Sequence, residues 1–304
     1  MRRTTPPELR RTHGANARAN PAADSSAKRV GSFARWVTRA PPYLKRVKHS
    51  RTPVILGYML KLVAARAELE TLYSGTRWGE GPVWLPATGR LRWSDIPNDR
   101  ILEYAPDTGQ TSVYRAPAGF ANGRTLDHAG AVVQCSHGRR AVERDTGAAA
   151  TTIVDAWDGK RLNSPNDVVV AADGAIWFTD PPYGILSDKQ GHVAEPEYDG
   201  CYVFRYDERT GRIAPMVTDM VHPNGLAFAP DGRTLYVSDT SVLHRPDGHH
   251  HIRAYDVVAG KCSRGRVFAE IDPGCPDGFR VDGAGRLWTS SADSVQVLTQ
   301  TAPR

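Results

Sequence analysis

Cysteine is scarce in this chain of 304 residues, and the four present (Cys135, Cys201, Cys262 and Cys275) show no CxxC or other zinc-ligand spacing. That excludes a zinc finger or a disulfide framework as the basis of the fold, and the four read as reduced, packing thiols. Long apolar runs are missing too. The longest, Val54 to Leu60, is interrupted by Lys61 and falls far short of the ~18 residues a membrane span needs. Acidic residues are nearly absent from one region: residues 1–66 hold 15 Lys+Arg against only Glu8 and Asp24, whereas residues 67–304 hold 24 bases and 31 acids. The overall net charge of +6 is therefore an N-terminal property. The opening stretch also lacks hydrophobic periodicity and is rich in Arg, Ala, Pro and Ser, so residues 1–66 read as a basic, disordered arm. Nucleic-acid binders, solvated tails, organelle presequences and upstream translated regions share that composition, and nucleic-acid binding is not the reading favoured here. The apolar segment lies about 50 residues from the start, too far for an export signal. The expected location is cytoplasmic.

From residue 68 onward, short β-type runs alternate with Gly, Asp, Asn and Pro, and helical periods are few. One hairpin signature recurs as PATGRLRW, DHAGAVVQ, AADGAIWF, APDGRTLY and VDGAGRLW, with turn glycines Gly89, Gly130, Gly174, Gly232 and Gly285 spaced by 41, 44, 58 and 53 residues. Between them EYAPDTGQTSVY, VERDTGAAATTI, FRYDERTGRIAPMV and AYDVVAGKCSRGRVF supply second hairpins. Units of two hairpins repeated at about 40–50 residues predict an all-β propeller over residues 67–304. A generic sandwich, the alternative, has no reason to repeat its turn chemistry at one period.

The repeat also carries a chemical phase. Asn122, Asn166, Asn224 and Asp277 each lie eight residues before a turn glycine, and Glu80 lies nine before Gly89. Singly, Pro-Asn-Gly and Pro-Asp-Gly are turn formers. Five oxygen-bearing side chains at the start of the strand that lines a propeller channel predict convergence on the axis. Glu80 and Asp277 with the amides of Asn166 and Asn224 form a hard, all-oxygen set suited to one divalent cation, calcium before magnesium, manganese or zinc. The second strands end in Ser94-Asp95, Thr179-Asp180 and Ser238-Asp239, with Ser136-His137 and Ser290-Ser291 at the matching places; Asp95 and Asp239 read as turn residues. His137 titrates nearest neutrality and is a candidate proton shuttle. His249, His250 and His251 read as a solvated loop.

RWGEGPVW, WSDIPNDRI, RLNSPNDVVV, DGAIWFTDPPYGI, PNGLAFAPDGRTLYVSD and PDGFRVDGAGRLW resemble the gluconolactonase family, which also holds senescence marker protein (regucalcin) and luciferin-regenerating enzyme. The resemblance covers about 69–298. It implies a six-bladed propeller with a calcium or other divalent ion in its channel, hydrolysing a sugar lactone such as glucono-1,5-lactone. Carried over, Glu80, Asn224 and Asp277 match metal ligands, Asn166 a metal-near, substrate-contacting amide, and Asn122 an amide beside the site. Animal members place an Arg where Ser164 stands. The resemblance also implies closure by an N-terminal strand, Glu68 to Tyr73 here, on the last blade. Only 19 residues follow Gly285, so the expectation is that about five of the six blades are encoded, with most of the sixth missing and activity impaired by its loss.

Two readings result. The first is a metal-dependent lactone hydrolase with Asp277 or His137 as the base; the second is a non-catalytic calcium-binding propeller or inactive gene product. Neither fixes the lactone or the oligomeric state.

Overall fold

The computed structural model describes residues 69–299 and Leu62; the rest of the basic arm and Glu68 lie outside them. Five sheets follow one another along the chain, each an antiparallel meander whose spatial order is its sequence order. Blade one holds β1 (Gly79–Leu85), β2 (Arg90–Asp95), β3 (Arg100–Ala105) and β4 (Gln110–Arg115), and blade two β5 (Ala121–Leu126), β6 (Val132–Ser136), β7 (Ala141–Asp145) and β8 (Ala150–Val154). A small hairpin, β9 (Ala156–Trp157) and β10 (Lys160–Arg161), leads to blade three, made of β11 (Val168–Val170), β12 (Ile176–Asp180), β13 (Tyr202–Asp207) and β14 (Arg212–Val217). Blade four is β15 (Pro223–Phe228), β16 (Thr234–Asp239), β17 (His251–Val258) and β18 (Lys261–Glu270), and blade five is β19 (Phe279–Val281), β20 (Leu287–Ser290) and β21 (Val295–Leu298). Every hairpin read from the repeat falls on a pair of these strands, because its glycine supplies the positive φ of the turn: Gly89, Gly130, Gly174, Gly232 and Gly285 lie between 62° and 84°.

Alternation along the strands makes each blade apolar on the faces it turns to its neighbours. Val133, Cys135 and Val142 of blade two pack with Val168, Phe178 and Phe204 of blade three. Trp177 and Val203 pack with Leu226 and Val237, and Tyr236 and Ile252 with Phe279 and Leu287. The junction of blades one and two is different. There the apolar cluster is only Ile101, Ala118 and Ala121 with Tyr114, and buried Asp145 takes Arg115 at 2.8 Å and the Tyr114 hydroxyl at 3.1 Å. The weakest apolar seam is thus held by charge-assisted bonds.

Two expectations change. Residues 69–73 are irregular rather than a strand; Tyr73 instead sets its ring 6.0 Å from that of Trp93, covering blade one. The blade count does not change: the described residues form five blades, as the repeat leads one to expect. The triple histidine is not a solvated loop throughout: His251 is buried at the start of β17, the His250 Nδ1 lies 2.8 Å from the Ile271 carbonyl, and only His249 stays exposed.

Candidate functional site

β-Bulges aim the repeated side chains. Register shifts fall between Glu80 and Val83 in β1, Ala121 and Arg124 in β5, and Pro223 and Leu226 in β15. An extra residue at the head of each innermost strand re-aims its side chain. The following glycine then lets the next blade approach: a Cβ on Gly123 would sit 2.5 Å from the Asn166 carbonyl oxygen, and one on Gly225 2.5 Å from that of Asp277. The same construction on Gly278 meets no described atom within 4 Å, so blade five has an open flank.

Glu80, Asn122, Asn166 and Asn224 line one cavity of about 230 Å³, together with Asp167, Arg280 and Trp288. Asp277 stands beside it, close enough to help raise the Glu80 carboxyl, while Asp167 helps raise both. His137 does not line it. The amides are joined head to tail: Asn122 Nδ2 donates to Asn166 Oδ1 at 2.6 Å, Asn166 Nδ2 to Asn224 Oδ1 at 2.7 Å, and Asn224 Nδ2 to Thr240 Oγ1 at 3.2 Å. The Thr240 hydroxyl meets that of Tyr183.

His137 anchors the other end and fixes the direction of the chain. Its Nδ1 faces the Gln190 carbonyl at 3.1 Å, so Nδ1 carries the proton and Nε2 accepts from Asn122 Nδ2 at 3.0 Å. The three amide orientations follow from that tautomer. Burial pushes the imidazole down to about 4, which keeps it neutral, and its remaining lone pair is engaged.

The carboxylates behave oppositely. Burial, then Asp277, pushes Glu80 well above its ordinary value; burial, then Asp167, pushes Asp277 up to about 6. Burial also raises Asp167, opposed first by Arg280, whose Nη1 lies 3.6 Å from Asp167 Oδ2. The described residues hold no group of three His, Cys, Asp or Glu in metal-ligand geometry, so a cation here depends on amide oxygens as well as on Glu80 and Asp277. That donor set fits a hard divalent ion, which would relieve the repulsion between the acids.

The aspartates ending the second strands hold the approach to each site residue. Asp95 accepts the Arg77 and Trp78 amides at 3.0 and 3.2 Å, Asp180 those of Asn163 and Ser164 at 2.7 and 2.8 Å, and Asp239 those of Val221 and His222 at 2.9 and 3.4 Å. Each pair lies three and two residues before the site residue. Asp95 also accepts Asn98 and Arg100. Asp95→Ala therefore strands four donors and lowers stability by about 3 kcal/mol or more, read by urea unfolding. Ser164 is fully buried; its hydroxyl donates to the Pro181 carbonyl at 2.6 Å and accepts from the Gly184 amide. This position fastens the loop and helix α1 (Tyr183–Leu186) over His137 and does not face the cavity.

Sequence reasoning missed Asp167, Arg280, Tyr183 and Thr240. Asp167 was legible as the one repeat with a carboxylate where the others have glycine. Arg280, three residues past Asp277, reaches Asp167 only through the fold.

The chain is 28% identical over 290 residues to a gluconolactonase of Zymomonas mobilis, covering 88% of this chain and 75% of that one. It is 31% identical over 222 residues to a pentonolactonase of Haloferax volcanii, covering 70% and 66%. A solved gluconolactonase structure from Xanthomonas campestris superposes with a TM-score of 0.69 at 42% identity over 74% of each chain. Residues 78–302, from the strand that carries Glu80 through all five blades, match the SMP-30/Gluconolactonase/LRE-like region, and the chain belongs to that family.

Proposed function

We propose that this protein hydrolyses a sugar lactone, with Glu80, Asn166, Asn224 and Asp277 holding a divalent cation, calcium first. The observation that carries the proposal is the convergence of two carboxylates, from blades one and five and both raised by burial and by neighbouring acids, on the directional amide chain of blades two to four. The gluconolactonase and pentonolactonase relatives support a sugar-derived ring ester as the substrate class.

A bound cation supplies positive charge that polarises the ester carbonyl. Asn122 and Asn166 orient the sugar hydroxyls. Asp277 takes a proton from the attacking water as the new carbon–oxygen bond forms; the ring carbon–oxygen bond then breaks, and the proton passes to the departing alkoxide. The product is the open-chain hydroxy acid. Asp277 suits the base because it is a carboxylate, ionised at pH 7, that stands beside the cavity. His137, pushed down to about 4 with both nitrogens engaged, instead orients Asn122.

Acid release from glucono-1,5-lactone, with the uncatalysed rate subtracted, is expected to be fast with calcium and to fall at least tenfold with a chelator. A protein that binds calcium with roughly 1:1 stoichiometry but releases no acid would favour the second reading, a non-catalytic cation-binding propeller, which the open flank at Gly278 supports.

A further inference from the structure

The bulges that aim the site residues also leave their backbones without ladder partners. Asn122 falls between the paired residues Ala121 and Arg124, and Asn224 between Pro223 and Leu226. A buried carbonyl freed in this way needs another donor. For these two, and for Asp277 just ahead of β19, that donor comes from the preceding blade. Ser94 Oγ donates to the Asn122 carbonyl at 3.0 Å, Thr179 Oγ1 to that of Asn224 at 2.6 Å, and Ser238 Oγ to that of Asp277 at 2.9 Å. The remaining step uses backbone, with the Gly123 amide donating to the Asn166 carbonyl at 2.8 Å.

All three hydroxyls are fully buried, and each is fixed by a second bond. Thr179 Oγ1 accepts the Asp167 amide at 3.1 Å and Ser238 Oγ the Gly225 amide at 2.8 Å, whereas Ser94 Oγ accepts from the Arg124 guanidinium. A hydroxyl can donate and accept at once, which lets Thr179 and Ser238 each join the residue beside one blade's site position to the site residue of the next, whereas Ser94 of blade one takes both partners from blade two.

We infer that Ser94, Thr179 and Ser238 are positioning residues: each sets the backbone from which the next blade's Asn122, Asn224 or Asp277 reaches the site. The inference rests on the proposed function for what the site does, though not for the geometry. It assigns the Ser/Thr of each Ser/Thr-Asp pair to the following blade's site residue, and the Asp to the approach of its own. Among the described residues no hydroxyl of another blade bonds Glu80 in this way; it is held through Asp95 and by the Trp78 indole at 2.9 Å.

The test compares the full chain with Thr179→Val, which keeps the shape and removes the hydroxyl, and Thr179→Ser, which restores it. Three quantities are read: the side-chain amide resonances of Asn224 without calcium, assigned by their loss in Asn224→Asp; the calcium Kd by calorimetry; and kcat and KM for glucono-1,5-lactone. Thr179→Val should move the Asn224 resonances, weaken calcium about tenfold and lower kcat ten- to a hundredfold while KM changes less than twofold. Thr179→Ser should return each to within about twofold of wild type. Ser238→Ala, read through Asp277 as loss of calcium affinity and kcat, replaces Thr179→Val if that variant does not fold. A folded Thr179→Val protein with a lower thermal midpoint but wild-type Asn224 resonances and calcium Kd would overturn the inference. If the wild type neither binds calcium nor turns over lactone, the proposed function fails, and the Asn224 resonances alone decide the positioning role.

Discussion

Asp277→Asn should raise the thermal midpoint of the calcium-free protein and abolish its increase with calcium. Without a cation, the Asp277 charge raises Glu80 and is itself opposed by burial and by Asp167, and the isosteric amide removes these costs at a gain of about 1 kcal/mol. With the wild type, calcium at about a hundred times its Kd adds roughly 2.7 kcal/mol to the native state, a shift of about 5–10 °C for a domain of this size. Asp277→Asn forfeits it. Lactone turnover should fall by on the order of 10²–10³, because the variant loses both a charged donor and the proposed base. Scanning calorimetry with and without calcium reads the first two effects and acid release the third. An unchanged calcium increment in the variant would remove Asp277 from the site.

Stability of the calcium-free protein should fall as pH rises from about 4 to about 7, and calcium should reverse the fall. Asp277 has a folded pKa of about 6 against an ordinary 3.8, and Glu80 is raised in the same direction. The native state therefore binds more protons than the unfolded chain across that interval, and stability is lost as pH climbs through the folded values. For Asp277 alone the loss is on the order of 2–3 kcal/mol. Calcium competes with those protons, so its increment should be small at pH 5 and large at pH 7.5. Thermal midpoints taken at both values, with and without the ion, decide the matter. A calcium increment that does not grow with pH would mean that these two acids are not where it binds.

Much of the site was legible in the sequence because a repeat repeats its environments. A turn glycine that must take positive φ fixes where each hairpin reverses, and counting back from it finds the residue at the head of the innermost strand. Glu80, Asn122, Asn166, Asn224 and Asp277 were found by that count, and the structure brings all five to one place. The Ser/Thr-Asp pairs were legible as a pattern but not as a device: their bonds run to another blade or to loops 13–45 residues away in sequence.

The sequence by itself determined the all-β repeat, its phase and the hard-oxygen character of the residues on that phase, since these depend on local turn chemistry and on alternation within a strand. Tertiary structure decided the rest. His137 looked like a proton shuttle because its ordinary pKa is near neutral; burial beneath residues 182–192 and bonds to Gln190 and Asn122 make it a neutral anchor. Asp277 looked like one more hard ligand, and only its burial and the nearby Asp167 raised it to about 6. Protonation and amide orientation are set by what lies within a few ångströms from other blades, and that proximity is made by the packing of blades rather than by any spacing along the chain.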